Sequence, residues 1–287
     1  MDTQPDQQRI VVGFDGSPEA GAALDWAVDE AERTGCRLHI VHAYQVGWPI
    51  GYFDQPTAPA VEHTRRRADQ VVAAAVAAVR ARRPGLPVTG TAVHDAPAPA
   101  LILTGTPHTR LIVVGNRGAG GVAGLLLGSV SRQVASHSYV PVAVVRGRAT
   151  AGPVVVGTDG SPAADAALES AFAAAEARHA PLVAVRAYVP PATQPAAIDG
   201  LEATERAALD ASLQGWRDKY PGVAVTASLG VGSPGPMLIN RSRGAQLLVV
   251  GSRGRGVLTA LLLGSTGHQL MQHAACPVIV AHTRTAA

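Results

Sequence analysis

Val12-Gly13-Phe14-Asp15-Gly16-Ser17-Pro18 recurs 144 residues later as Val156-Gly157-Thr158-Asp159-Gly160-Ser161-Pro162. A second stretch, Gly115-Asn116-Arg117-Gly118, recurs 136 residues later as Gly251-Ser252-Arg253-Gly254. The chain is therefore an internal repeat, and the second copy is eight residues shorter between the two motifs. Most of that shortening falls after the second strand, where a long loop (Gln45 to Pro59) faces a shorter one (Val189 to Pro195). Ser17 and Pro18 suit a helix N-cap and first helical position. Apolar residues follow at 20, 23, 24, 27, 28 and 31, one helical stripe, with Asp25, Asp29 and Glu32 on another face. The second copy repeats the stripe at 164, 167, 168, 171, 172 and 175.

Strand candidates in the first copy are Arg9–Phe14, Arg37–Ala43, Val88–Val93, Leu111–Gly115 and Pro141–Arg146. After the motif strand, those of the second are Leu182–Ala187, Val223–Leu229, Leu247–Gly251 and Pro277–His282. Leu111–Val114 and Leu247–Val250 are continuously apolar, the pattern of strands covered on both faces in a parallel sheet. Strands alternate with helices, which predicts an α/β fold of two tandem doubly wound domains, Rossmann-like, at residues 1–148 and 152–287.

Composition narrows the function. Of 287 residues, 47% are hydrophobic and 16% charged, which supports packed cores and argues against disorder. Residues 1–148 hold 14 Arg against 12 acids; the rest hold 9 Arg and Lys219 against 9 acids. With positive charge spread evenly and aromatics at 4%, nucleic acid is not an expected partner. No apolar run reaches membrane-spanning length, and Met1–Gln8 lacks the order of a secretory signal, so the expectation is a cytoplasmic protein without membrane contact. Cys36 and Cys276 offer neither a disulfide framework nor a zinc site and read as buried thiols.

Ligands in such sheets bind beyond the carboxyl ends of the strands. Asp15 falls there, as does the loop from Gly115 through Gly118 to Gly128-Ser129-Val130-Ser131. Gly128-Ser129 opens a helix, where free N–H groups and the helix dipole suit a phosphate. The same form, G-x-x-G, nine residues, G-[ST], recurs through Gly264, Ser265 and Thr266. There is no P-loop lysine motif, no G-x-G-x-x-G after the first strand and no G-x-S-x-G elbow. Arg117 and Arg253 are candidates for phosphate pairing or for a solvent-facing loop. His39 and His42, three apart on one strand, make a poor metal pair. His137 and His273 suit helix C-termini. Arg65-Arg66-Arg67 reads as a solvated helix face, and Ala119–Leu127 as packing under the loop with a lid or partner surface as the functional alternative.

At the quoted motifs the chain resembles the universal stress protein family in its tandem form, over roughly residues 8–283. The resemblance implies a five-stranded parallel sheet per domain and a bound adenine nucleotide, ATP with Mg2+. It places Asp15 and Asp159 on the nucleotide and Ala43 and Ala187 on the adenine. Gly115, Gly118, Gly128, Ser129, Val130 and Ser131 are to hold ribose and phosphates, as are Gly251, Gly254, Gly264, Ser265 and Thr266. It further implies antiparallel pairing of the two last strands within the chain, or a homodimer. Two departures make the sites unequal: Gly267 stands in place of Ser131, removing a hydroxyl donor, and His94-Asp95 stands where the second copy has Gly230-Val231-Gly232. The expected function is an ATP-binding stress sensor or regulatory module with slow or no hydrolysis and no catalytic constellation. The competing readings are a slow magnesium-dependent ATP hydrolase, a cyclic-AMP binder and a nucleotide-free scaffold.

Overall fold

The computed structural model describes residues 8–46, 57–120, 126–147, 151–190, 198–254 and 263–283. Most of the two loops of unequal length, most of the Ala119–Leu127 segment and residues 148–150 at the boundary of the two expected domains lie outside these. The elements of the first repeat are β1 (Arg9–Gly13), α1 (Pro18–Thr34), β2 (Arg37–Tyr44), α2 (Ala58–Arg82), β3 (Val88–His94), α3 (Pro97–Thr104), β4 (Thr109–Gly115), α4 (Ser129–His137) and β5 (Val142–Val145). Those of the second are β6 (Val154–Gly157), α5 (Pro162–Ala177), β7 (Leu182–Tyr188), α6 (Ile198–Lys219), β8 (Val225–Val231), α7 (Pro234–Ser242), β9 (Leu247–Gly251), α8 (Ser265–His273) and β10 (Val278–Ala281).

Helix α1 forms as its sequence dictates. Ser17 Oγ accepts from the Ala20 N–H at 3.2 Å, satisfying one of the free donors of the first turn. Gly35 closes the helix with φ +65°, its N–H turned back to Ala31 and Glu32. The whole predicted stripe, Ala20 to Ala31, is buried. On the outer face Asp25 pairs with Arg82 of α2 at 2.8 Å and Glu32 with Arg83, just past the end of α2, at 2.9 Å; both pairs are exposed, so water screens them and they add little to stability. Helix α5 repeats the design, with Ser161 as cap and residues 164, 167, 168, 171, 172 and 175 buried. Arg65 and Arg66 pair with Glu62 on the exposed face of α2.

The chain divides into two compact units, 1–134 and 135–287. In the first, β2, β3 and β4 join β1 in the order β3-β2-β1-β4, all parallel. In the second, β10, β9, β6, β7 and β8 run parallel in that order. These are two α/β domains with mostly parallel sheets. Strand β5 belongs by its contacts to the second unit, where it pairs antiparallel with β10, Val144 against Val278 and Val142 against Val280. The last strands of the two repeats thus pair within one chain. Their residues are buried, so the ladder is held by apolar side chains as well as by backbone bonds.

Candidate functional site

In the first unit the chain leaves β1 on one side of the sheet's order and β4 on the other, the crevice where doubly wound sheets take ligands. Asp15 stands at the end of β1, followed by Gly16 at φ +82°, a left-handed turn that glycine adopts without strain. The turn folds Ser17 back, so that its N–H and Oγ–H both donate to Asp15 Oδ1, at 3.0 and 2.6 Å. The other carboxylate oxygen accepts the Ala119 N–H at 2.7 Å. One side chain therefore ties the start of α1 to the glycine loop after β4. Burial pushes the Asp15 pKa up, but the Ser17 hydroxyl and the Ala119 and Ser17 amides outweigh it, and the net shift is downward.

The loop has room only for glycine at two points. A Cβ on Gly118 would lie 2.6 Å from Asp15 Oδ2, and one on Gly115 2.8 Å from the Glu19 carbonyl oxygen. The loop closes where the Gly128 N–H donates to Asn116 O at 2.8 Å, and α4 starts at the next residue. Facing this helix start is an apolar wall of Val41 and Ala43 at the end of β2, Pro97 and Leu101 of α3, and Val114. Between them lies an open cavity of about 270 Å³. Asp15, Ala43, Gly115, Arg117, Gly118, Gly128, Ser129, Val130 and Ser131, the residues expected from the sequence, all line it.

The second unit builds the same crevice, of about 300 Å³, so size does not rank the two. Asp159, Ala187, Gly251, Arg253, Gly254, Gly264, Ser265 and Thr266 all line it. Ser161 N–H donates to Asp159 Oδ1 at 2.9 Å, Gly160 has φ +76°, and Gly264 N–H donates to Ser252 O at 2.9 Å.

Three differences separate the crevices. Ser131 is buried, and its hydroxyl donates to the Gly115 carbonyl at 2.6 Å. In this arrangement its proton braces the loop, so Gly267 in the second copy removes a brace more directly than a phosphate donor. Arg117 is ion-paired with Glu19 at 3.1 Å. The residue matching Glu19 is Ala163, and no carboxylate among the described residues pairs with Arg253. Asp95 accepts the Ala96 N–H at 2.6 Å and does not line the crevice, whereas its counterpart Gly232 has φ +119°.

A model of the universal stress protein family matches residues 7–146 and again 151–282. The chain belongs to the universal stress protein family. It is 34% identical over 286 residues to a universal stress protein of Mycolicibacterium smegmatis, covering 96% of this chain and 97% of the relative. A universal stress protein of Mycobacterium tuberculosis is 35% identical over 308 residues, covering 98% and 97%. Among solved structures, a universal stress protein from Archaeoglobus fulgidus aligns with a TM-score of 0.71 at 20% identity, covering 96% of this chain and 97% of that one.

Some crevice residues of this universal stress protein escaped the sequence reading. Pro97, Leu101 and their counterparts Pro234 and Leu238 form the apolar wall. The signal was present: Pro97-x-Pro99-x-Leu101 recurs as Pro234-x-Pro236-x-Leu238. Glu19, which holds Arg117, had no such signal because the second copy lacks it. The tempting residues outside the crevice have separate partners. His39 Nδ1 meets Thr89 Oγ1 at 2.9 Å, and His42 Nδ1 meets Phe14 O at 2.7 Å. Cys36 and Cys276 are buried, and burial pushes the Cys276 thiol up to about 12. Leu127 is buried while Leu126 is half exposed.

Proposed function

We propose that each crevice holds an adenine nucleotide, ATP with Mg2+, and that the protein acts as a stress-response sensor or regulatory module with slow or no hydrolysis. The observation that carries this reading is the duplicated crevice itself. In each copy an apolar wall suited to a base faces a glycine loop and a helix N-terminus suited to phosphates. The glycine cradle supports the fit, since side chains at Gly115 or Gly251 would strike backbone carbonyls. Arg253, and Arg117 once released from Glu19, supply the side-chain positive charge.

Among the described residues no three His, Cys, Asp or Glu side chains converge on a metal site. Magnesium fits as an ion that keeps phosphate and water ligands and neutralises phosphate charge. Asp15 is the carboxylate lining the first crevice, and both its oxygens already accept hydrogen bonds. That favours a latch over a general base. Nucleotide would add contacts across the loop, so occupancy would change the loop's order and the surface next to it, the physical basis for a sensor. Among the described residues no helix is long and apolar enough to cross a membrane. Two free thiols suit a reducing compartment, and we place the protein in the cytoplasm.

The test is to release nucleotide from native protein, identify it by mass spectrometry, and titrate the emptied protein with Mg-ATP, ADP and cyclic AMP by calorimetry. Nucleotide recovery and saturable ATP binding are expected. No released nucleotide together with no binding heat ends the proposal. Tighter binding of cyclic AMP than ATP replaces it with the cyclic-nucleotide reading. Steady ATP turnover abolished by Asp15→Ala, with binding retained, replaces it with the hydrolase reading.

A further inference from the structure

The outer edge of the first sheet carries a surface that the nucleotide crevice does not use. Strand β3 ends the order β3-β2-β1-β4, with β2 on its inner side. The Leu38 N–H donates to Pro87 O, so the backbone groups of Thr89, Thr91 and Val93 turn to β2, and those of Val88, Gly90 and Ala92 turn outward. Arg80 of α2 reaches over and donates to Val88 O at 2.9 Å. Among the described residues nothing bonds the outward groups of Gly90 and Ala92. Beside them an open groove of about 810 Å³ runs between β3 and α2, lined by buried Val72, half-buried Val76 and exposed Ala73 and Ala77. Gly90 keeps the groove's floor flush, since a Cβ there would lie 2.5 Å from the Val72 side chain.

The second repeat treats the same edge differently. Arg206 of α6 donates to Ala227 O at 3.3 Å, and that carbonyl matches the outward one of Gly90. The residue matching Arg206 is Asp69, a carboxylate with no proton to donate. Leu209 and Leu213, both fully buried, stand where Val72 and Val76 do. Asp210 and Gln214 stand where Ala73 and Ala77 do. Charge laid on an edge strand is a common way to stop further strands from adding. The fold therefore accepts a guarded edge, and the first repeat leaves its own edge unguarded and apolar.

We propose that this edge is a self-association surface, where β3 of a second copy pairs antiparallel across a two-fold axis at Thr91. That centre sets Gly90 against the partner's Ala92, so the outward N–H and C=O groups of each exchange hydrogen bonds in both directions. Val88 O stays with Arg80. The exposed Thr91 side chains meet at the axis, a favourable cross-strand pair. A two-fold contact must be complementary to itself, and the charges of the groove satisfy this. Asp69 lines one end and Arg80 the other, about 16 Å apart along α2. The axis lays the Asp69 end of each copy on the Arg80 end of its partner. Asp69 is held at present only by an exposed pair with Arg65 at 3.1 Å, which costs little to rearrange. The surface stands independently of the nucleotide reading.

The test uses the full chain. Sedimentation velocity from about 1 to about 100 μM should show a dimer that dissociates on dilution. Hydrogen exchange at the Gly90 and Ala92 amides should slow about tenfold as the dimer forms. Asp69→Arg installs the guard of the second repeat. Ala92→Pro removes an outward N–H at an edge position, where proline is tolerated. Each should weaken association about tenfold or more, with thermal melts near those of the native protein. A monomer throughout the range overturns the proposal, as does a dimer that survives both substitutions or leaves exchange at Gly90 and Ala92 unchanged. A monomer with both amides protected at every concentration means that the edge is covered within the chain, and also overturns it. Should a variant unfold, the exchange comparison on the native chain decides.

Discussion

Asp15→Asn alters one atom and leaves the shape of the side chain intact. In the native protein Oδ1 accepts from the Ser17 N–H and hydroxyl while Oδ2 accepts from the Ala119 N–H. An amide has one acceptor and one donor end, so in either flip state an NH2 faces an N–H donor. If the amide oxygen stays with Ser17, the latch to the loop is lost. A hydrogen bond to a charged group contributes about 1.5–3 kcal/mol, and Asp15 is exposed enough to place it at the lower end. Where nucleotide binding needs the latched loop, about 1.5 kcal/mol becomes roughly tenfold weaker binding of ATP in the first crevice. Calorimetry on a protein whose second crevice is disabled by Gly251→Val, a change that drives a side chain into the Ala163 carbonyl, isolates that term. Faster hydrogen exchange at Ala119 should accompany the loss. Wild-type affinity together with wild-type exchange at Ala119 would refute the latch. The pH dependence has a defined sign. The folded pKa lies below the unfolded one, so the latch is intact above the unfolded pKa of about 3.8 and is lost as pH falls through the lower folded value.

Glu19→Ala should release Arg117 and tighten ATP binding in the first crevice several-fold, and Ala163→Glu should weaken the second; isothermal titration of each variant checks both signs, and unchanged affinities would remove the ion pair from the account. Ser131→Ala leaves the Gly115 carbonyl without its buried donor and should lower stability by about 1–3 kcal/mol in urea unfolding, whereas Gly267→Ser in the second copy has no matching gain assured, because a Cβ there meets Leu263 at 3.2 Å. His282, just after β10, has a pKa pushed down to about 4 by burial, with an Nε2 that has no hydrogen-bond partner among the described residues. Its folded pKa lies below the unfolded value near 6.5, so stability should fall as pH drops from about 6.5 to about 4, and His282→Gln should flatten that slope in thermal melts. Cys276, with its thiol pushed up to about 12, should resist a thiol reagent at pH 8 until the protein is unfolded.

Much of this protein follows from local sequence. The stripes at 20–31 and 164–175, the continuous apolar runs and the Asp-Gly-Ser-Pro turns are signals carried within a few residues, and the duplicate copy makes each visible twice. The glycines of the loop after β4 are legible for the same reason, since a missing side chain marks a close approach wherever it occurs. What the sequence left open concerns which group each polar atom chooses. The Ser131 proton goes to Gly115, Arg117 to Glu19 and Asp15 to Ala119, and these partners are 16, 98 and 104 residues away in the chain. Pairing β5 with β10 joins residues more than a hundred positions apart. Periodicity determined the elements because it acts through neighbours on one face; tertiary structure decided the bonds, because a hydrogen bond or an ion pair depends on distances that only the packed chain sets.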